Sequence, residues 1–257
     1  MIGLILGTSE GRKILSLLNN YTEDILVSTA TEYGGEILKD YKYSYLNTNP
    51  LDSEGLVKLF KEKNVNLLVD ASHPYALEIS KNAMKACEVL GIEYLRYERP
   101  SCIDKFRKEE KIIELKDYEE LYDKLKNIKG NILNTTGSRN LDKILSMNLK
   151  NRIIHRVLPS AKVMQECINK GLDAGDIIAM KGPVSYELNC AFIKEYKAQA
   201  IILKDSGIQG GTEEKLRACV DNNIYGFIIG RQTTKYNNIF YDTEDLVNYL
   251  LDRVKLK

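Results

Sequence analysis

Short, wholly apolar runs recur along this chain, and most are followed by an amphipathic stretch at helical period. Ile2–Leu6 leads into a stretch carrying Ile14, Leu17 and Leu18, and Leu67–Val69 precedes a helical pattern from about Tyr75 to Leu90. Between them lie the strand-like runs Ile25–Ser28 and Tyr43–Leu46, and a predicted helix Ser53–Lys63 with Leu56, Leu59 and Phe60 on one face. Ile92–Leu95 closes this first series. The second series has predicted strands at Ile112–Leu115, Ile132–Asn134, Arg152–Val157, Ile177–Met180, Ala200–Leu203 and Gly226–Ile229. Its predicted helices are Tyr118–Lys126, Leu141–Leu145, Ala161–Asn169, Ser185–Tyr196, Thr212–Asn222 and Thr243–Val254. A strand apolar on both faces must be covered on both, so the expectation is an α/β fold of doubly wound parallel sheets between helices. Pro100 stops regular structure just after Arg99, and the charged segment Asp104–Lys111 follows it. The boundary is therefore placed there: a nucleotide-binding domain at 1–99 and a second domain at 100–257 that contributes to substrate and cofactor binding.

Charge narrows the ligand classes. The 257 residues carry 37 basic and 36 acidic side chains, a net charge of +1. No global field draws in nucleic acid or anionic lipid, so an acidic ligand must be met by local cations. The five cysteines are widely spaced, form no C-x-x-C pair, and accompany only two histidines, His73 and His155. That pattern argues against a zinc or iron–sulfur site and for reduced thiols packed as small apolar groups. No basic leader precedes the first strand, and no run approaches the ~20 apolar residues of a membrane span. The expectation is a cytoplasmic protein with no metal of its own and no membrane or nucleic-acid partner.

Two glycine-rich loops stand where ligands bind in such sheets. Ala200–Leu203 runs into Lys204-Asp205-Ser206-Gly207-Ile208-Gln209-Gly210-Gly211, and a charged amphipathic stretch leaves from Thr212. Closely spaced glycines let the backbone take positive φ and approach a ligand, and the exposed N–H groups of the next helix favour an anion. Ser206, Gly207, Gly210 and Gly211 are candidate cofactor contacts, with Lys204 and Lys215 flanking them as candidate substrate contacts. Gly7-Thr8-Ser9-Glu10-Gly11-Arg12 follows the first strand in the same way. It lacks both the G-x-G-x-x-G spacing and a P-loop lysine. It reads either as a tight turn capped by Thr8 or Ser9, or as a pyrophosphate site with Arg12 as counter-charge. After the second strand, Glu32 favours NADH over NADPH, because an acid there accepts from a ribose hydroxyl.

Other strand ends carry further candidates. Asp70-Ala71-Ser72-His73-Pro74-Tyr75 offers His73 and Tyr75 as proton donors beside Asp205, whereas His155, inside a strand, reads as structural. Arg96 and Arg99 are placed to clamp carboxylates, or to form salt bridges at the domain boundary. Ser138 and Arg139 follow a third glycine turn, and Arg156 and Lys181 end two more strands. The basic groups suit a substrate with many carboxylates.

Together these segments resemble the precorrin-6A reductase family of cobalamin biosynthesis, including its cobalt-precorrin-6A branch. The resemblance rests on G-T-S-E-G-R at Gly7–Arg12, D-A-S-H-P-Y-A at Asp70–Ala76 and R-Y-E-R-P at Arg96–Pro100. It continues through T-G-S-R-N-L at Thr136–Leu141, R-V-L-P at Arg156–Pro159, G-P-V-S-Y-E-L-N at Gly182–Asn189 and K-D-S-G-x-x-G-G-x-x-E-K at Lys204–Lys215. It departs at Ser72, where the family often has threonine, and at Gly230-Arg231-Gln232, where Arg-Pro is common. The resemblance implies two Rossmann-like domains with an interdomain cleft, and hydride delivery from NADH or NADPH to one double bond of a contracted tetrapyrrole. Such a transfer needs contact and facial orientation, with no nucleophile or protein-bound metal. Transient contact with neighbouring cobalamin-pathway enzymes is a further expectation. The lysine-, isoleucine- and asparagine-rich composition leans toward the cobalt-bearing substrate. Two other classes stay open at this point: a non-catalytic dinucleotide-sensing regulator, and a two-domain nucleotide-sugar transferase.

Overall fold

A computed structural model describes residues 1–231 and 235–254. The chain begins with β1 (Ile2–Leu6), α1 (Ser9–Leu18), β2 (Ile25–Ser28), α2 (Glu32–Glu36) and β3 (Tyr45–Asn47). It continues through α3 (Ser53–Glu62), β4 (Leu67–Ala71), α4 (Leu77–Leu90) and β5 (Glu93–Tyr97). A second series runs β6 (Ile112–Leu115), α5 (Tyr118–Leu125), β7 (Asn131–Asn134), α6 (Leu141–Leu145), β8 (Ile153–Val157) and α7 (Ala161–Asn169). Then come β9 (Ile177–Ala179), α8 (Tyr186–Glu195), β10 (Ala198–Lys204), α9 (Thr212–Asp221) and β11 (Tyr225–Ile229). The last elements are β12 (Ile239–Phe240) and α10 (Thr243–Val254).

These elements form two parallel six-stranded sheets, ordered β12-β5-β4-β1-β2-β3 and β6-β11-β10-β7-β8-β9. Both contain the Rossmann order: connections run outward one way from β1 and the other way from β4, and likewise from β7 and β10. Ligands of open α/β sheets bind outside the strand carboxyl ends at such reversals. The fold thus singles out the loops after β1 and β4 in one sheet and after β7 and β10 in the other.

The strands' period of two fills both faces of each sheet. In the first, Leu4, Val27 and Val69 pack with Ile14 and Leu18 of α1, while Ile5, Leu26 and Leu68 meet Phe60 of α3 and Ala83 of α4. In the second, Leu133, Ile201 and Ile228 pack with Ile193 of α8 and Leu216 of α9, and Ile132, Ile202 and Phe227 with Leu121 and Ile144.

The compact units are 1–99 with 233–257, and 100–232. The expected second domain, 100–257, is therefore corrected at its end. β12 pairs in parallel with β5, and Leu246, Val247 and Leu250 of α10 join the core beside α1. Those three apolar residues cover a face of the first sheet that α1 leaves partly bare. No helix among the described residues is long and apolar enough to cross a membrane.

Candidate functional site

In the first unit the loops after β1 and β4 are built against each other. A Cβ on Gly7 would lie 3.0 Å from the backbone nitrogen of His73 and 3.2 Å from Cα of Ser72, so a side chain there would push against the backbone of the neighbouring loop. Thr8 is the N-cap: its Oγ1 accepts from Gly11 N at 3.2 Å and donates to Ala71 O at 3.2 Å. Ser9, exposed, and Arg12, half-buried, stand on the first turn of α1. Glu32 is exposed at the start of α2, which Thr31 caps through Gly34 N.

Glu10 is not presented to a ligand. Arg99 grips its Oε2 through Nε at 2.9 Å and Nη2 at 2.6 Å, and Ser9 Oγ donates to the same oxygen. Burial alone would raise this carboxyl, but Arg99 outweighs it and holds the group below the usual carboxylate range. Arg96 is likewise internal, 1% exposed and paired with Asp70 at 2.9 Å and Glu98 at 2.9 Å. Where the sequence offered Arg96 and Arg99 to ligand carboxylates, the fold gives their guanidinium groups to carboxylates of the chain. Fully buried Asp70 also accepts from Ser72 N at 2.9 Å, Ser80 Oγ at 2.6 Å and Tyr94 OH at 2.6 Å. Burial, then Asp70, pushes the Tyr94 phenol upward. This network fixes the loop that carries His73 and Tyr75, both half-buried. His73 Nδ1 accepts from Tyr75 N at 3.3 Å, which leaves the proton of a neutral ring on Nε2.

The second unit concentrates positive charge. Lys204 ends β10, and burial first, then Arg139 and Lys143, lower its ammonium to about 8. The loop beyond it turns at Gly207 (φ 72°) and Gly211 (φ 71°). Thr212 Oγ1 ties the loop together, accepting from Ser206 N at 3.0 Å and donating to Lys204 O at 3.3 Å. Asp205, expected to face a ligand, is 2% exposed; its carboxylate meets Arg231 at 2.9 Å and accepts from Gly207 N at 3.2 Å. Lys215, also expected to face a ligand, turns inward and donates to the carbonyls of Gly210 at 3.2 Å and Gly211 at 2.7 Å. Burial, then the charge of Arg156, lowers it to about 7. Arg156 is itself shifted down by burial, and its buried Nη1 finds no hydrogen-bond partner among the described residues. Its Nη2 lies 3.5 Å from where a Cβ on Gly182 would stand. Ser138 is half-buried beyond Gly137 (φ 81°), and Arg139 and Lys181 are exposed.

The site candidates thus fall into two sets. Gly7–Arg12, Glu32, His73, Tyr75, Arg96 and Arg99 belong to the first unit; Ser138, Arg139, Arg156, Lys181 and Lys204–Lys215 belong to the second. Gln232 lies outside the described residues.

The family described as Precorrin-6x reductase CbiJ/CobK matches residues 1–251. The chain belongs to this family. The reductase is 35% identical over 231 residues to a protein of Methanocaldococcus jannaschii named Cobalt-precorrin-6A reductase, with 88% of each chain covered. It is 30% identical over 251 residues to a protein of the same name from Methanothermobacter thermautotrophicus, covering 95% of this chain and 82% of the relative. A solved structure titled CobK precorrin-6A reductase superposes with a TM-score of 0.76 at 18% identity, covering 98% of this chain and 96% of that one. The last likeness concerns the fold.

Asp70, Tyr94, Glu98, Asn134 and Thr212 of the reductase were not singled out in the sequence, although they hold its loops. For Asp70 a signal existed: it stands opposite Arg96 in the β4–β5 register, opposite charges at two adjacent strand ends. Asn134, fully buried, accepts at Oδ1 from Thr136 N and Oγ1, and its Nδ2 lies 3.0 Å from His155 Nδ1. Since Asn134 donates, His155 is neutral, and burial lowers it from 6.5 to about 4. The unfolded chain binds this proton more tightly. His155 therefore contributes stability that is complete above pH 6.5 and lost as pH falls toward about 4. Urea unfolding between those pH values is expected to show about 3 kcal/mol of loss from this group, and His155→Leu to flatten the slope. An unchanged slope in that variant would contradict the assignment.

Proposed function

We propose that this reductase transfers a hydride from a reduced nicotinamide cofactor to cobalt-precorrin-6A, giving cobalt-precorrin-6B in cobalamin biosynthesis. The cobalt belongs to the substrate. The observation that carries the reading is the cation excess at the carboxyl edge of the second sheet. Lys204 is lowered by burial and then by Arg139 and Lys143, and Lys215 by burial and then by Arg156, in a chain whose net charge is only +1. A macrocycle edged with acetate and propionate groups supplies the missing anions, and Arg156 is suited to grip one of them.

The first unit's residues fit a dinucleotide. Its sheet has the Rossmann order, and α1 opens at the reversal point with Gly7 leaving room beside it. Arg99 neutralises Glu10 beneath that turn, so the helix's positive end stays available to a phosphate. Arg12 supplies a counter-charge, and exposed Glu32 after β2 favours a free ribose hydroxyl, hence NADH.

When bound, the nicotinamide supplies the hydride. The macrocycle gains that hydride at one carbon of a double bond and a proton at the other, a two-electron reduction. Of the three groups offered for the proton, Asp205 is committed to Arg231 and acts on the loop's shape. His73 and Tyr75 remain, held at the end of β4 by the Asp70 network. Anaerobic incubation with cobalt-precorrin-6A is expected to oxidise NADH in proportion to the substrate added, and NADPH more slowly. Binding of the cofactor without oxidation at saturating substrate would favour the sensor reading instead.

A further inference from the structure

We propose that Tyr236 is a positioning residue, whose ring closes the buried Asp70–Arg96 pair and so sets the loop that presents His73. The inference rests on His73 acting in the reduction.

The Arg96 guanidinium in this network is held at Nη1 and Nε. Nη1 forms an ion pair with Asp70 Oδ1 at 2.9 Å and donates to Ser72 Oγ at 2.9 Å, and Nε donates to Glu98 Oε2 at 2.9 Å. The bond to Ser72 matters most for the site, because His73 is the next residue. Flat faces of a guanidinium accept no hydrogen bond, and here one face is covered by the Tyr236 ring, its centroid 5.5 Å from Arg96 Cζ. The same ring stacks on Tyr94 at 6.2 Å with an interplanar angle of 18°, and Tyr94 is the residue whose hydroxyl meets Asp70 Oδ2. One side chain therefore covers both the cation and one of the donors that hold the anion.

The placement of Tyr236 is secured by backbone pairing. Arg96 N donates to Asn238 O at 2.9 Å and Glu98 N to Phe240 O at 2.8 Å, which registers the segment against β5. Without the ring, water reaches the guanidinium and the local dielectric rises. Arg96 then holds Ser72 less firmly and the loop after it loosens. Tyr236 touches Arg96 and Tyr94 and acts on His73 only through them.

Tyr236→Leu, Tyr236→Gln and Tyr236→Phe of the full chain test this, with Gln as the second ring-less variant should Leu fail to fold. The chain has only two histidines, so the imidazole nitrogens of His73 are separable by ¹⁵N NMR. The wild type is expected to show the proton on Nε2. Either ring-less variant should show mixed tautomers and a kcat about tenfold lower at unchanged KM, and Tyr236→Phe should restore both. A folded ring-less variant with the wild-type tautomer overturns the proposal. A changed tautomer with unaltered kcat overturns its link to the reaction and removes His73 from the chemistry, while the substrate assignment stands or falls by turnover alone.

Discussion

Asp70→Ala is expected to lower the unfolding free energy of the first unit by about 3–5 kcal/mol, among the largest losses from a single substitution in this chain. The reason is the partner left behind. Arg96 would stay 1% exposed with its main counter-ion gone, and Ser72 N, Ser80 Oγ and Tyr94 OH would lose the carboxylate that receives them. The pair raises the guanidinium's own proton affinity: burial works against the charge, and Asp70 and Glu98 outweigh it. Removing both charges at once is a different matter. Asp70→Leu with Arg96→Met should recover most of the loss, because a buried ion pair owes much of its gain to repaying its own desolvation. Urea unfolding of the three proteins decides it. A loss near 1 kcal/mol or less for Asp70→Ala, the range of an exposed ion pair, would contradict the account.

Arg156→Met is expected to move stability and activity in opposite directions. The buried Nη1 has no hydrogen-bond partner among the described residues, and burial depresses the charge. An unpaired buried polar group costs about 1–3 kcal/mol, so an apolar side chain of similar length should raise the midpoint of thermal unfolding. The same change also relieves Lys215 of a like charge. If Arg156 grips a substrate carboxylate, its loss should lower kcat/KM by about 10²-fold, the effect of deleting one partner of a buried charged contact. A variant that is both less stable and fully active would show that Arg156 serves the fold alone.

These two residues also mark how far the sequence could be read. The strands and helices are legible because each apolar run is bounded by polar or glycine-containing turns; β1, β2 and β6 span the residues expected of them. Two elements were not foreseen. Ile239–Phe240 is too short for any periodicity to register, and it becomes a strand only because β5 offers an edge. Glu32–Glu36 contains Gly34 and Gly35, which weaken helix propensity, and Thr31 starts it through Gly34 N. The return of α10 to the first unit is likewise invisible locally, since an amphipathic helix does not name the sheet it will cover.

The basic cluster of the second unit follows from its residues, because each cation ends or follows a strand and parallel strands bring their carboxyl ends to one edge. What the sequence hid was which charges cancel. Glu10 and Arg99 are 89 positions apart and Asp205 and Arg231 are 26 apart, and nothing short of the folded register pairs them. Lys215 looked like a ligand contact for the same reason. One turn into α9, its stem is long enough to reach back to Gly210 and Gly211, and its ammonium spends its donors on the chain.

The central claim is that a hydride passes from a nicotinamide to the macrocycle on this protein. Anaerobic turnover of cobalt-precorrin-6A with NADH deuterated at the transferable C4 position tests it most directly, read by mass spectrometry of the tetrapyrrole. The account predicts a product that retains one deuterium from the cofactor, with a second, unlabelled hydrogen arriving from solvent. A reduced product carrying solvent hydrogen alone, or no product while NADH stays intact, would contradict it.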